Sequence, residues 1–258
     1  MNLPDLSNWE TTRECLHRVA QVIGELRRLN IDAQPNALHL AVNAVADGVS
    51  TGRLRNGGEY TFDYGAAEII YYDPDGERSQ LSLEGHTAKS LITASLKLMS
   101  DDIDELLANS RITDEKPFRM DSDLAENYAK VQYAVFKGLS HFKARLSGTM
   151  TPVVIWPHHF DMSFLWFKGH NPDEHKEPHM NFGFSPYSEG YDEPYLYFYL
   201  WPQPDTATDV KPPAPARWAT EGFSGIVVDY ADLRTAVDPI HLIENTFAQI
   251  HRSLAPLL

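Results

Sequence analysis

Asp161 and Ser163 stand two residues apart, so an extended chain would hold both side chains on one face. The stretch around them, from Trp156 to Trp201, is dense in aromatic residues. A carboxylate in such surroundings is either paired or raised in pKa, and either condition suits it to move protons. The plainer reading is a turn or capping aspartate. Further on, the run Tyr195-Leu196-Tyr197-Phe198-Tyr199-Leu200-Trp201 alternates two kinds of side chain. Leu196, Phe198 and Leu200 form an ordinary core face. Tyr195, Tyr197, Tyr199 and Trp201 form an amphipathic one, whose polar tips need partners when buried. That composition suits the wall of a ligand cavity, and equally a sheet face covered by a loop. The expected site has Asp161 as acid or base, with Ser163, Ser185, Tyr197, Tyr199 and Trp201 as ligand-binding residues. His158 or His159 would be a further catalytic proton carrier. Neighbours on an extended chain point to opposite faces, so at most one of these two serves a given site.

Five of the 11 histidines fall close together: His158, His159, His170, His175 and His179. Imidazoles beside Asp161 are the donor types that hold zinc or iron. No recognised ligand spacing supports that reading. His175 and His179 are four apart, but Pro178 between them keeps the pair off a helical face. Solvated loop histidines are the plainer reading, so no metal ligand is assigned and the cofactor is left unknown. Gly48-Val49-Ser50-Thr51-Gly52 matches the hydrolase nucleophile elbow in its letters. An elbow needs a strand that turns sharply into a helix. Here Arg53-Leu54-Arg55-Asn56-Gly57-Gly58 follows, a loop composition, and the match is read as chance.

The elements that must carry these residues follow from periodicity. Ser7-Asn8-Trp9-Glu10 reads as a capping box opening a helix to about Leu29, with Cys15, Leu16, Val19, Ala20, Ile23 and Leu26 as its apolar stripe. Leu38 to Val42 is strand-like. Tyr60, Phe62 and Tyr64 alternate with polar residues as in a half-buried strand. Ile69–Tyr72 and Gln80–Leu83 flank Asp73-Pro74-Asp75-Gly76, a hairpin signal. A helix with Ala88, Leu91, Ile92, Leu96 and Met99 on one face closes this half. The second half repeats the order, from a helix capped at Asp123 and reaching about Leu146. Strands are expected at Pro152–Trp156, Met162–Phe167, Met180–Phe184, Tyr195–Trp201 and Ile226–Tyr230. A Pro-rich loop spans residues 202–215, and Asp238-Pro239 starts a final amphipathic helix.

The expected fold class is therefore α+β: two similar helix–strands–helix halves, mainly antiparallel sheets packed against amphipathic helices. The halves span residues 1–110 and 122–258, joined by a connection over 111–121, and are long enough together to form one compact unit with a real core. One cysteine, Cys15, excludes an intramolecular disulfide. A formal net charge of −14 repels phosphate backbones and anionic lipid, so no nucleic acid and no membrane are expected as partners. The opening residues lack a basic-then-apolar leader, and no apolar run is long enough to span a bilayer, so a cytoplasmic location is expected.

One series of short motifs runs through Trp9-Glu10-x-Thr12-Arg13 with Leu16-His17, Phe62-Asp63-Tyr64, the Asp75-Gly76 turn and Leu81-x-Leu83. It continues through Pro117-Phe118, Phe160-Asp161-Met162, Gly183-Phe184-Ser185-Pro186, Tyr197-Phe198-Tyr199, Pro202-x-Pro204 and Asp238-Pro239. In their order and spacing these motifs make nearly the whole chain resemble a bacterial family of unknown function, domain of unknown function 5996. The family supplies no activity to carry over. The match at Phe160-Asp161 favours a role for Asp161 beyond a local cap. His158-His159 stand where the family usually has small residues, and Ser185 where it usually has Trp.

The leading expectation is a small-molecule-binding protein, with catalysis left open, whose aromatic-lined pocket lies in the second half. The alternatives are a metal-dependent hydrolase using the cluster from His158 to His179, and a non-enzymatic protein-interaction module. The expected partner is a small-molecule ligand; the sequence does not set an oligomeric state.

Overall fold

The computed structural model describes residues 2–100, 102–188, 190–219 and 223–258. The chain is α+β, built on two mostly antiparallel sheets. Its residues form two compact units, interleaved along the sequence. A meander unit comprises Leu6–Tyr133 and Ile155–Phe160. A wide-sheet unit comprises Met1–Asp5, Ala134–Val154 and Asp161–Leu258. Residues 111–121 run inside the meander unit.

The meander unit begins with helix α1 (Glu10–Asn30), whose expected stripe is buried along its length. The helix does not take Ser7 as its N-cap. Asn8 takes a left-handed φ of 57°, and Trp9 is the N-cap with no side-chain cap bond. The Trp9 indole is buried 4.9 Å from the Tyr128 ring, so packing rather than capping fixes where the helix starts. The strand-like run at Leu38 is instead a 3₁₀ turn, Pro35–Leu40, with Asn36 and Ala37 at positive φ. Pro35 presets the turn and Asn36 tolerates the left-handed region, which outweighs the apolar composition. Then β1 (Asn43–Val45), β2 (Gly48–Ser50), β3 (Glu59–Asp63), β4 (Glu68–Tyr72) and β5 (Arg78–Ser82) form a sheet in sequence order. The turn joining β4 to β5 is held by Asp73 Oδ1, which accepts from the amides of Asp75 and Glu77 at 2.9 Å each. Helix α2 (Ala88–Met99) is capped by Thr87, and a short α3 (Asp104–Ala108) follows.

Helix α4 (Ser122–Ala144) starts one residue before the expected cap. The cap is Asp121, whose Oδ1 accepts from the amides of Asp123 and Leu124 at 3.0 Å each. Beyond it lie β6 (Thr149–Met150), β7 (Val154–Trp156), β8 (Asp161–Phe167), β9 (His179–Ser185), β10 (Tyr195–Trp201), β11 (Arg217–Trp218) and β12 (Ile226–Asp229). The main path of this sheet is β11-β12-β10-β9-β8-β6. Helix α5 (Tyr230–Thr235) and helix α6 (Pro239–Leu254) close the chain, α6 capped by Asp238, which accepts from the His241 amide.

Alternation divides the wide sheet into two faces with different chemistry. One face carries Phe164, Phe182, Phe184, Leu196, Phe198 and Leu200, all buried. Phe142 from the later part of α4 meets Phe182 edge-on at 4.8 Å, and Phe247 of α6 lies 5.3 Å from Phe182. Gly138 lets the two helices close: a Cβ there would sit 2.9 Å from Ile243 Cβ. This is the core of the unit. The opposite face carries the candidate site.

Candidate functional site

The register of the wide sheet sets the site residues in rows. Ser163 on β8, Gly183 on β9 and Tyr197 on β10 are direct cross-strand partners. The next row is Leu165, Asn181 and Tyr199; the one after it is Phe167, His179 and Trp201. Ser185 pairs with Tyr195 at the other end. Since strand side chains alternate, Asp161, Ser163, Ser185, Tyr197, Tyr199 and Trp201 all share one face.

Gly183 decides how the middle row is built. A Cβ at this position would lie 2.2 Å from Tyr197 Cζ and 2.5 Å from its hydroxyl oxygen. The Tyr197 ring therefore lies flat across β9, in the space that any side chain at 183 would fill. From there its hydroxyl donates to Asp161 Oδ2 on β8. Burial raises the Tyr197 pKa well above the ordinary phenol value, and the adjacent Asp161 charge raises it further, against the Ser163 hydroxyl, which lowers it. The proton stays on the tyrosine, and Asp161 is the acceptor of the pair.

The two ends of the face differ. At one end Tyr195, Tyr197 and Val227 are buried, with Tyr191, Ala219, Phe223 and, from the next row, Tyr199 packed against them. Ser185 is engaged here, donating to the Tyr187 carbonyl at 2.6 Å, while Ser188 and the Tyr195 hydroxyl lie 2.7 Å apart. Ser185 thus ties the β9–β10 turn. The other end opens. Trp201 is 40% exposed and stacks at 5.4 Å on His179, whose Nδ1 lies 2.9 Å from the Glu177 carbonyl. Tyr199, half-buried and stacked 6.3 Å from Tyr197, accepts a 2.8 Å hydrogen bond from Asn181 Nδ2. Asn181 Oδ1 is buried and accepts no hydrogen bond from the described residues. Burial raises the Tyr199 pKa first, then the carboxylates of Asp161 and Glu174, while the Asn181 bond lowers it. Asn181 was not singled out from the sequence, although its polarity between Met180 and Phe182, two residues from Gly183, is the signal that marks it.

The histidines do not converge. His158 and His159 are exposed on the turn after β7, in the meander unit, with rings 4.0 Å apart. His17 of α1 joins them: its ring stacks 5.4 Å from Phe160 and its Nε2 lies 3.3 Å from the His158 carbonyl. Burial lowers the pKa of His17, and partial desolvation together with the neighbouring His159 lowers that of His158. Phe160 closes this turn at a left-handed φ of 59° with its ring buried. Such backbone costs about 1–3 kcal/mol and persists only where packing enforces it. His170 and His175 are exposed between β8 and β9, and His179 is buried at the start of β9. Among the described residues, no group of three or more His, Cys, Asp or Glu is arranged to hold a metal ion. The Gly48–Gly52 match is a strand entering a loop: Ser50 is buried, donates to Glu59 and accepts from the Gly52 amide at 2.7 Å.

No helix among the described residues is long and apolar enough to cross a membrane. No curated protein and no solved structure matches the chain. One family model does match, over residues 2–255, which is nearly every position and includes the whole of the wide sheet. The chain belongs to the family of unknown function DUF5996.

Proposed function

We propose that the chain is a small-molecule-binding protein whose site is the open end of the polar, aromatic face of its wide sheet. The observation that carries this reading is the contrast along one face. The Tyr195 end is closed by its own loops, while the end bearing Asn181, Tyr199 and Trp201 leaves an indole exposed and a buried amide oxygen without a hydrogen bond among the described residues. Ligand sites combine apolar walls with a few fixed polar groups in this way. A ligand that extends along the face to the row of Ser185 meets Asp161 as its proton-exchanging group, oriented by the Tyr197 hydroxyl it accepts from. Tyr197 keeps its own proton and positions the carboxylate.

The test is a thermal-shift screen of a metabolite library against the wild-type protein, with each hit repeated on Tyr199→Ala and Trp201→Ala. A hit whose stabilisation disappears in both variants supports the reading. Hits that persist unchanged in both variants would place the ligand elsewhere and overturn it. For catalysis the decisive variant is Asp161→Asn: it should abolish turnover of the identified ligand while retaining binding.

A further inference from the structure

Helix α1 carries an arginine whose charge the described residues leave unmatched. Arg18 on this helix pairs with Asp114, and Arg28 holds Glu25 through two bonds of 2.6 and 2.8 Å. Arg27 has no carboxylate partner among the described residues. Its Nη1 donates to the Thr51 carbonyl, and its Nη2 reaches the Leu38 carbonyl at 3.5 Å. Burial lowers its pKa, and no charged neighbour raises it. Its Nε is buried and donates to nothing among the described residues. Carboxylates are not scarce in a chain with 36 acidic residues against 22 basic ones. In this unit, however, Glu25 is taken by Arg28 and the Arg111 amide, Asp32 by Arg55, and Glu59 by the Ser50 hydroxyl.

The unmatched guanidinium borders a notch. Gly52 follows Thr51 in the left-handed region, at a φ of 63°, where a side chain is strained. A Cβ there would lie 2.7 Å from Asn43 Nδ2 and 3.6 Å from Arg27 Nη1. Because the position is glycine, that space stays open, with two N–H-bearing groups along its border. Asn43 is exposed, Gly52 and Arg27 are partly exposed, and the exposed Arg53 follows next in the chain. A guanidinium has five N–H donors, and the carbonyls of Thr51 and Leu38 occupy two of them. A partly buried charge is costly until it is matched, and charge-assisted hydrogen bonds to an oxyanion are among the strong ones. We propose that the notch over Gly52, between Arg27 and Asn43, binds a small oxyanion, a carboxylate or a phosphate group. One oxygen would accept from Arg27 Nη1 and another from Asn43 Nδ2, so that the ligand supplies the missing countercharge. The site lies wholly within the meander unit and is independent of the aromatic face of the wide sheet.

The experiment follows the Gly52 amide resonance of ¹⁵N-labelled full-length protein in Tris buffer. Sodium chloride is replaced stepwise by sodium acetate or sodium phosphate at constant ionic strength. At least one oxyanion should move the resonance saturably, with a Kd on the order of millimolar for so small a ligand. The tighter of the two identifies the anionic group that the notch prefers. Acetamide, which has the shape of acetate without its charge, should leave the resonance in place. Asn43→Ala, at an exposed position, should weaken the oxyanion about threefold or more. Asn43→Asp puts a carboxylate beside Arg27 and should abolish the response, while the dispersion of the same spectrum reports that the variant is folded. Equal shifts from acetamide and acetate, or an undiminished response in Asn43→Asp, would overturn the anion site. So would a Gly52 amide that neither acetate nor phosphate moves.

Discussion

Replacing Gly183 with alanine should lower stability by about 2–4 kcal/mol, through a residue that sits on a neighbouring strand. The added Cβ would lie 2.2 Å from Tyr197 Cζ, far inside contact distance, and the atom it meets is part of a rigid ring. The ring must leave its place over β9. Forcing a group into a filled site costs about 1–3 kcal/mol. Leaving also breaks the bond to Asp161, and a hydrogen bond to a charged group contributes about 1.5–3 kcal/mol. The lower part of that range applies, because Asp161 is partly exposed. Alanine restricts the unfolded chain, which returns about 0.4–1 kcal/mol. Urea denaturation followed by circular dichroism and tryptophan fluorescence reads the change, and a loss of this size should move the midpoint by about 1 M or more. The sharper measurement is a double-mutant cycle with Tyr197→Leu. Without the ring there is nothing to displace, so Gly183→Ala in that background should be close to neutral. Unchanged stability in Gly183→Ala alone, or an equal loss in both backgrounds, would refute the account of the glycine as the seat of the tyrosine ring.

Three further outcomes follow from the core and its buried titratable groups. Phe142→Ala removes a buried ring that meets Phe164, Phe182 and Phe247, and should cost about 3–5 kcal/mol by the same denaturation assay; less than about 1 kcal/mol would contradict its place at the centre of the wide-sheet unit. Burial pushes the Cys15 thiol up to about 11, so at pH 8 it should react with a disulfide reagent only once the protein is unfolded, and rapid labelling of native protein would disprove its burial on α1. His251 is held neutral by burial, with its pKa lowered and its ring edge-on to Trp166 at 4.8 Å. As pH falls below about 6.5 the unfolded chain takes up the proton first, so stability drops with pH. His251→Phe should flatten that decline between pH 7 and 5, and equal slopes for variant and wild type would exclude the residue as a source.

The aromatic face was legible because strand alternation is a strictly local signal: Tyr195 to Trp201 emerged as a strand with the two faces its letters imply, and the hairpin at Asp73 was as plain. Local signals failed where distant packing overrode them. Ser7 and Glu10 have the letters of a cap, but the demand that Trp9 reach Tyr128 sets the helix start. The run at Leu38 has strand composition, but Pro35 and Asn36 bend it first. What no local pattern could show is register. Gly183 matters because it faces Tyr197 across one strand and Ser163 across the other, a relation invisible until the pairing is known. The same holds for His17, which meets the His158 carbonyl across 141 positions of sequence.

The interleaving of the two units bears on how the chain can be made. A ribosome delivers residues in order, and domains that are continuous in sequence can fold as they emerge. Here the meander unit is complete only when Ile155–Phe160 arrives, although its five strands are finished by Ser82. By then the second part of α4, from Ala134, has been synthesised ahead of β8 to α6, with Phe142 awaiting Phe182 and Phe247. Pro4 waits for a partner 226 positions further on. Pro4 and Asp5 belong with the wide sheet, where the carbonyl of Pro4 accepts from the Tyr230 hydroxyl at 2.6 Å and Asp5 pairs with Arg234 at 2.7 Å. The wide-sheet unit therefore cannot close around Pro4 and Asp5 until the chain has been made as far as Tyr230 and Arg234.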